Sequence, residues 1–255
     1  MPSGYHGPVN ALIQIEKLVK DYAGHRAVDG LTVTVAAGEI LGLVGPNGAG
    51  KTTTLRCLAG IIPATSGQIR IGGHDLMEAP VEARRALAFV PDEPHLFDHL
   101  TVSDHLALFA RLYEVADHGT RAEQLLRDNE LWDRRHAFPG ELSRGMKQEL
   151  LLSCALSHSP KVLVLDEPLT GLDPAAMRRT KRTISATAAA GAAVVASSHM
   201  LHLVEEICGR ILIISNGRCA VVGTLDEIRA TVPDLSGDAD LEEIFLRATE
   251  LDGAT

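Results

Sequence analysis

The chain has 255 residues, 45% of them hydrophobic and 22% charged, an ordinary globular composition that suits one large domain or two small ones. A formal net charge of −9 argues against a general nucleic-acid binder, which needs a basic footprint. Aromatics make up only 4%, so the core must rest mainly on Leu, Val, Ile and Ala.

The N-terminal stretch MPSGYHGPVNALIQIEK has no basic segment followed by an apolar run, so no leader peptide is expected there. Residues 12–44 alternate and are rich in Val, Ile and Leu, which predicts short strands separated by turns. A helix is expected over KTTTLRCLAGII (51–62), then a turn at Pro63–Gly67 and a strand at QIRIGG. Residues 101–158 carry no strand signal. Thr101 with Asp104 forms a capping-box pattern, and Leu106, Phe109 and Leu112 follow at helical spacing. Further helices are expected near Arg121–Leu131 and from Ser143 onward.

Strand signals then return. KVLVLD, AAVVASS and RILIIS are short apolar runs of the kind buried on both faces of a parallel sheet. Asn216-Gly217 between RILIIS and RCAVVG is a hairpin signal. The tail has one amphipathic stretch, Leu241–Leu251. The longest apolar run, Ala188–Ala196, is far short of the roughly 18 residues of a membrane span, so contact with a membrane is expected only through a partner. Cys57, Cys154, Cys208 and Cys219 form no CxxC pair and are expected to be reduced, mostly buried thiols. The expected fold is an α/β core with a mostly parallel sheet, a small N-terminal antiparallel β-layer and an inserted α-helical subdomain.

Chemistry concentrates in two places. GPNGAGKT, Gly45 to Thr52, matches G-x-x-x-x-G-K-[ST] and sits between an apolar strand and a helix. Its glycines let the backbone wrap around phosphate with N–H groups inward, and the helix adds the positive end of its dipole. Lys51 is placed to reach the β- and γ-phosphates, and Thr52 to offer a hydroxyl to Mg²⁺. At the end of KVLVLDEP, Asp166 and Glu167 are adjacent carboxylates. Neighbours on a strand face opposite ways, but a turn at the strand's end aims both at one site. Asp166 then suits Mg²⁺, and Glu167 suits the attacking water.

With these residues in place, the chain from about Leu12 to Glu227 resembles the nucleotide-binding domains of ABC transporters. The P-loop fold follows from that resemblance, as does ATP as the nucleotide. LSRGMKQ, Leu142 to Gln148, looks like the family's LSGGQ signature, with Arg144 and Met146 as departures. Ser143 and Gly145 remain, and the resemblance implies that they meet the γ-phosphate held by another subunit. TGLDP resembles the D-loop, with Asp173 facing the dimer interface. Ser198-His199 resembles the switch region, giving His199 a place at the γ-phosphate. Tyr22 stands where the family stacks adenine. The resemblance thus implies nucleotide contacts from Tyr22, Gly45, Pro46, Asn47, Gly48, Ala49, Gly50, Lys51, Thr52 and Thr53. It implies catalytic roles for Lys51, Glu167 and His199. Mg²⁺ falls to Thr52 and Asp166, with Asp92, which replaces the usual Gln in FVPDEPHLF, as a further candidate. Acidic replacements of this kind, paired with SRGM, resemble an exporter branch.

The resemblance also implies an ABC ATPase domain over 1–228, with the helical subdomain inserted at about 97–160, and a short extension over 229–255. The expected setting is the cytoplasmic face of the cell membrane. The expected partners are a membrane-spanning permease and a second ATPase subunit, identical or different, and no nucleic acid. The rival readings are a soluble ABC-type ATPase working on ribosomes or DNA and a P-loop kinase or GTPase. A GTPase would carry an NKxD motif, and none is found.

Overall fold

The computed structural model describes residues 10–232 and 239–253. The segment expected to lack a leader begins at residues 1–9, outside the described residues; 233–238 and 254–255 of the expected extension lie outside them too.

Among the described residues the strands form two sheets. The first is antiparallel, in the order β2-β1-β4-β5. β1 (Ala11–Tyr22) and β2 (His25–Ala36) are joined through Ala23 and Gly24, both at positive φ (41° and 94°). Two left-handed residues give the tight turn whose twist matches paired strands. β4 (Ser66–Ile71) and β5 (His74–Asp75) complete this layer. The second sheet runs β10-β9-β3-β8-β7-β6. β3 (Ile40–Val44), β6 (Leu87–Val90), β7 (Val162–Leu165), β8 (Ala193–Ser197) and β9 (Arg210–Ser215) pair in parallel. β10 (Arg218–Gly223) adds antiparallel to β9. The turn between them is Asn216-Gly217, with φ 47° and 79°, so the hairpin signal is fulfilled.

Alternation along the central strands divides the core. Leu41, Leu43, Val162, Val164, Val195 and Leu212 point into the cluster shared with the antiparallel layer and α1 (Lys51–Leu58). Their neighbours Ile40, Leu163, Leu165, Val194 and Ala196 point into a second cluster. That second cluster is filled by α3 (Val102–Leu112), α4 (His118–Asp128) and α5 (Arg144–Leu156), through Leu106, Leu126 and Leu150. Val44, Ile211 and Ile213 meet a third cluster from α7 (Leu201–Ile207), α8 (Leu225–Thr231) and α9 (Leu241–Gly253). Strands buried on both faces explain why these segments read as continuous apolar runs.

The helical insert follows its local signals. Thr101 accepts from the Asp104 N–H, and the Asp104 carboxylate accepts from the Thr101 N–H, so the capping box is complete. Ser143 caps α5 by accepting from the Met146 N–H at 3.2 Å. The helix after Gly50 stops at Leu58 rather than Ile62, because Gly60 turns to φ 66° and the Ile61 and Ile62 N–H groups fold back onto the Arg56 carbonyl. The short α2 (Pro80–Arg85) and the edge strand β6 carry too few residues for a visible period. α6 (Pro174–Ala189) is capped by Asp173, whose carboxylate accepts from the Ala175 and Ala176 N–H groups. Those two bonds hold the Asp173 carboxyl below the ordinary range. Cys57 and Cys154 are buried, Cys208 is partly buried and Cys219 is exposed; all four are free.

α7 lies directly on β3 at Gly42, where a Cβ would stand 2.5 Å from Val204 Cγ1 and 3.0 Å from Cys208 Sγ. Gly42→Ala is therefore expected to cost about 1–3 kcal/mol in urea unfolding, the usual range for overpacking. Gly140→Ala, where a Cβ meets nothing within 4 Å, serves as the near-neutral control.

Candidate functional site

The strand order places three loops side by side. β8 lies between β3 and β7, and all three run parallel. The loop 45–50 after β3, the pair Asp166-Glu167 after β7 and Ser198-His199 after β8 therefore emerge at one edge. Crevices outside the carboxyl ends of parallel strands are where α/β sheets bind ligands.

The phosphate-type loop is shaped by missing side chains. A Cβ on Gly45 would stand 2.4 Å from the Ile214 carbonyl oxygen, and one on Gly50 would stand 2.3 Å from that of Ala27. Gly48 and Gly50 adopt φ 81° and 104°, conformations that favour glycine. Pro46, Asn47 and Gly48 are exposed, whereas Ala49 and Gly50 are buried. The Gly217 N–H donates to the Ala49 carbonyl at 3.0 Å, tying the β9–β10 turn to the loop. Gly50 caps α1 without a side-chain bond, and no acidic residue lies in the first turn, so the helix N-terminus is open to an anion. Lys51 is buried and its ammonium donates to the Gly45 and Pro46 carbonyls at 2.7 and 3.1 Å. Burial pushes its pKa down, and the charges of Glu167 and Asp166 pull it back up. Thr52 is exposed and Thr53 is half-buried.

The carboxylates are gathered by a turn at the strand's end. Asp166 is 4% exposed, and its Oδ1 accepts from Ser197 Oγ at 2.7 Å and from Thr52 Oγ1 at 3.3 Å. Glu167 takes φ 49°, a left-handed conformation that is strained for a side chain of this length. That single residue reverses the strand alternation and brings its carboxylate to the same edge. Glu167 Oε2 accepts from Thr170 Oγ1 at 3.2 Å and from the His199 N–H at 3.3 Å, and it lies 2.8 Å from His199 Nδ1. The Glu167 N–H donates to Ser197 Oγ at 2.9 Å.

The remaining expected residues spread around this centre. Tyr22, 44% exposed, stands at the end of β1 with the Lys20 ammonium 4.9 Å from its ring centroid. Its partner strand continues to Ala27, whose carbonyl presses on Gly50, so the ring belongs to the layer beside the loop. Ser143 and Gly145 open α5. Among the described residues neither makes a hydrogen bond to residues 45–53. Asp92 and Arg144, two of the three departures from the family pattern, meet each other: Arg144 Nη2 lies 3.3 Å from Asp92 Oδ1. The Arg144 side chain also passes over Gly171, where a Cβ would stand 3.3 Å from its Nε. Burial raises the Asp92 pKa, Arg144 opposes this, and Asp166, Glu167 and Glu93 reinforce it.

Two residues escaped the sequence reading. Ser197 is fully buried and touches both carboxylate residues; a polar residue closing the apolar run AVVAS was its signal. Gln148, 4% exposed, donates to the Pro91 carbonyl at 3.2 Å and anchors the Asp92 loop to α5.

The residues fit a nucleotide and a hard cation. The loop backbone would be filled by any Cβ at positions 45 and 50, and Thr52 and Asp166 present oxygen donors of the kind Mg²⁺ takes.

A family model described as "ABC transporter" matches residues 28–170. The chain is 32% identical over 244 residues to the ABC-type transporter ATP-binding protein EcsA of Bacillus subtilis (strain 168), covering 95% of this chain and 98% of that protein. It is 38% identical over 257 residues to the Nod factor export ATP-binding protein I of Burkholderia thailandensis, covering 96% and 84%. A solved structure described as the ATP binding subunit of an ABC transporter superposes with a TM-score of 0.89 at 34% identity, covering 93% of this chain and 99% of that one.

The Asp92–Arg144 pair is half-exposed on both sides. A double-mutant cycle with Asp92→Asn and Arg144→Gln in urea unfolding is expected to give a coupling of about 0.2–1 kcal/mol. The coupling should shrink as salt is added. Zero coupling at low salt would mean that the pair adds nothing to stability.

Proposed function

The chain belongs to the ABC transporter family, as an ATP-binding and ATP-hydrolysing subunit, and from that premise we propose that it powers export through a separate membrane permease. The observation that carries the site assignment is the convergence of Thr52, Asp166, Ser197, Glu167 and His199 through hydrogen bonds at the ends of β3, β7 and β8. The export direction rests on similarity to a relative described as an export ATP-binding protein. Among the described residues no helix is long and apolar enough to cross a membrane. The likeness to ATP-binding subunits of transporters supports placing the chain on the cytoplasmic face beside its permease. Residues 1–228 are proposed as the ATPase domain, about 97–160 as its helical arm and 229–255 as the extension.

In this reading residues 45–53 wrap the phosphates and Tyr22 stacks the adenine. Lys51 exchanges its loop carbonyls for β- and γ-phosphate oxygens. Thr52 and Asp166 would hold Mg²⁺, which supplies charge neutralisation across the phosphates when bound. Asp92 would be a further candidate to hold the ion, a role with which its pair with Arg144 competes. Glu167 takes a proton from the attacking water as the water oxygen bonds to the γ-phosphorus. The bond from that phosphorus to the bridging oxygen breaks, and its electrons leave with ADP. His199, against the same carboxylate, holds the water and the γ-phosphate in line.

Ser143 and Gly145 do not bond to the loop of their own chain, which supports a site completed by the signature helix of a second ATPase subunit. Ser143 caps α5 and so presents a helix N-terminus that favours the γ-phosphate. Asp173, capping α6, would hold the neighbouring turn at that interface. ATP then joins the two halves, and loss of the γ-phosphate contact releases them, a shift between closed and open populations. Neither curated relative described above bears a name that points to ribosomes or DNA, and the net charge of −9 is unfavourable to nucleic acid.

Glu167→Gln is expected to leave ATP affinity intact and to cut turnover by about 10²–10⁴-fold, the range for loss of a general base. Unchanged steady-state hydrolysis would remove Glu167 from that role. Lys51→Ala is expected to weaken ATP binding about 10–100-fold, as for loss of a charge-assisted hydrogen bond. An equilibrium titration with equal affinity would contradict the cradle assignment.

A further inference from the structure

We propose that Ser197 is a positioning residue for hydrolysis, its one hydroxyl fixing Asp166 and Glu167 relative to each other. The inference rests on the reading of Glu167 as the general base and adds a residue to it. Ser197 ends β8, fully buried, between the strands that carry the phosphate loop and the carboxylates. The parallel register sets Leu165 opposite Ala196 and Leu43 opposite Ser197. That leaves Ser197 one step beyond the last β7 pair, level with Asp166.

A serine hydroxyl is one donor and an acceptor, and both capacities are used here. The O–H donates to Asp166 Oδ1 at 2.7 Å, and the oxygen accepts the Glu167 N–H at 2.9 Å. The second bond is the informative one. Glu167 sits at φ 49°, and such a conformation persists only when its surroundings over-determine it. Two sets of contacts do so. On the side chain, Thr170 and His199 hold Oε2. On the backbone, Ser197 holds the N–H, and the Thr170 N–H donates to the Glu167 carbonyl at 3.2 Å. Thr170 and His199 both engage Oε2, so in this reading Oε1 is the oxygen that faces the attacking water.

Alanine at 197 deletes one oxygen and no carbon. The Glu167 N–H then has no partner, and only the Thr170 and His199 contacts still hold the residue at φ 49°, so its carboxylate is placed less precisely at the edge. A serine that merely fills the core predicts something else, a general loss of folded protein with ATP binding and turnover falling together.

The test is Ser197→Ala in the full chain, with ATP affinity by equilibrium titration, and kcat and KM by steady-state hydrolysis. Glu167→Gln is measured alongside. The expected result is a fall of about 10–100-fold in kcat, the usual cost of losing a partner that orients a catalytic group, with Kd and KM for ATP unchanged. An unchanged kcat in Ser197→Ala beside an inactive Glu167→Gln would overturn the role of Ser197 alone. A loss of ATP affinity that matches the loss of kcat would overturn it in favour of a packing role. Wild-type turnover in Glu167→Gln would overturn the reading of the base and this inference with it.

Discussion

The structure depends on a buried carboxylate being kept in place at the end of a parallel sheet. Asp166 is almost wholly out of water, where a lone charge is costly unless it is hydrogen-bonded. Ser197 and Thr52 supply those bonds from the two other strand-to-loop junctions. The requirement fixes more than one side chain. It needs β8 between β3 and β7, so that all three junctions open at one edge. The loop that leads to Thr52 is itself pressed against the Ile214 and Ala27 carbonyls, which is why glycine occupies positions 45 and 50. Packing, topology and site chemistry therefore share a single constraint.

Much of this was legible in the sequence because the strongest signals are local. The loop glycines, the Thr101 and Ser143 caps and the Asn216-Gly217 turn each act within a few residues. The apolar runs at 162–165, 193–197 and 210–215 follow from burial on both faces. The short elements were not legible. β6 and α2 are too brief to show a period, and α8 is seven residues held by its own capping box against the third core cluster.

At the site, the residue types were readable but their relations were not. Asp166 and Glu167 stood out as adjacent acids, yet nothing in the letters says that Glu167 takes a left-handed backbone. Ser197 and His199 lie thirty or more positions from the carboxylates that they contact, and spacing carries no information across that distance. Asp92 and Arg144 looked like two separate departures from a familiar pattern. In space they are one ion pair that also crosses Gly171. The pair links the loop after β6, the start of α5 and the turn before α6.

The central claim, that these strand ends form the ATP site, is tested most directly by a crystal structure of the Glu167→Gln chain grown with Mg²⁺ and ATP. The account predicts the triphosphate inside residues 45–52, with Lys51 moved from the Gly45 and Pro46 carbonyls to phosphate oxygens. Thr52 and Asp166 should lie on the metal's side, His199 should lie at the γ-phosphate, and a second chain's Ser143 should face the same phosphate. A triphosphate bound elsewhere, with Lys51 still donating to its own loop, would contradict it.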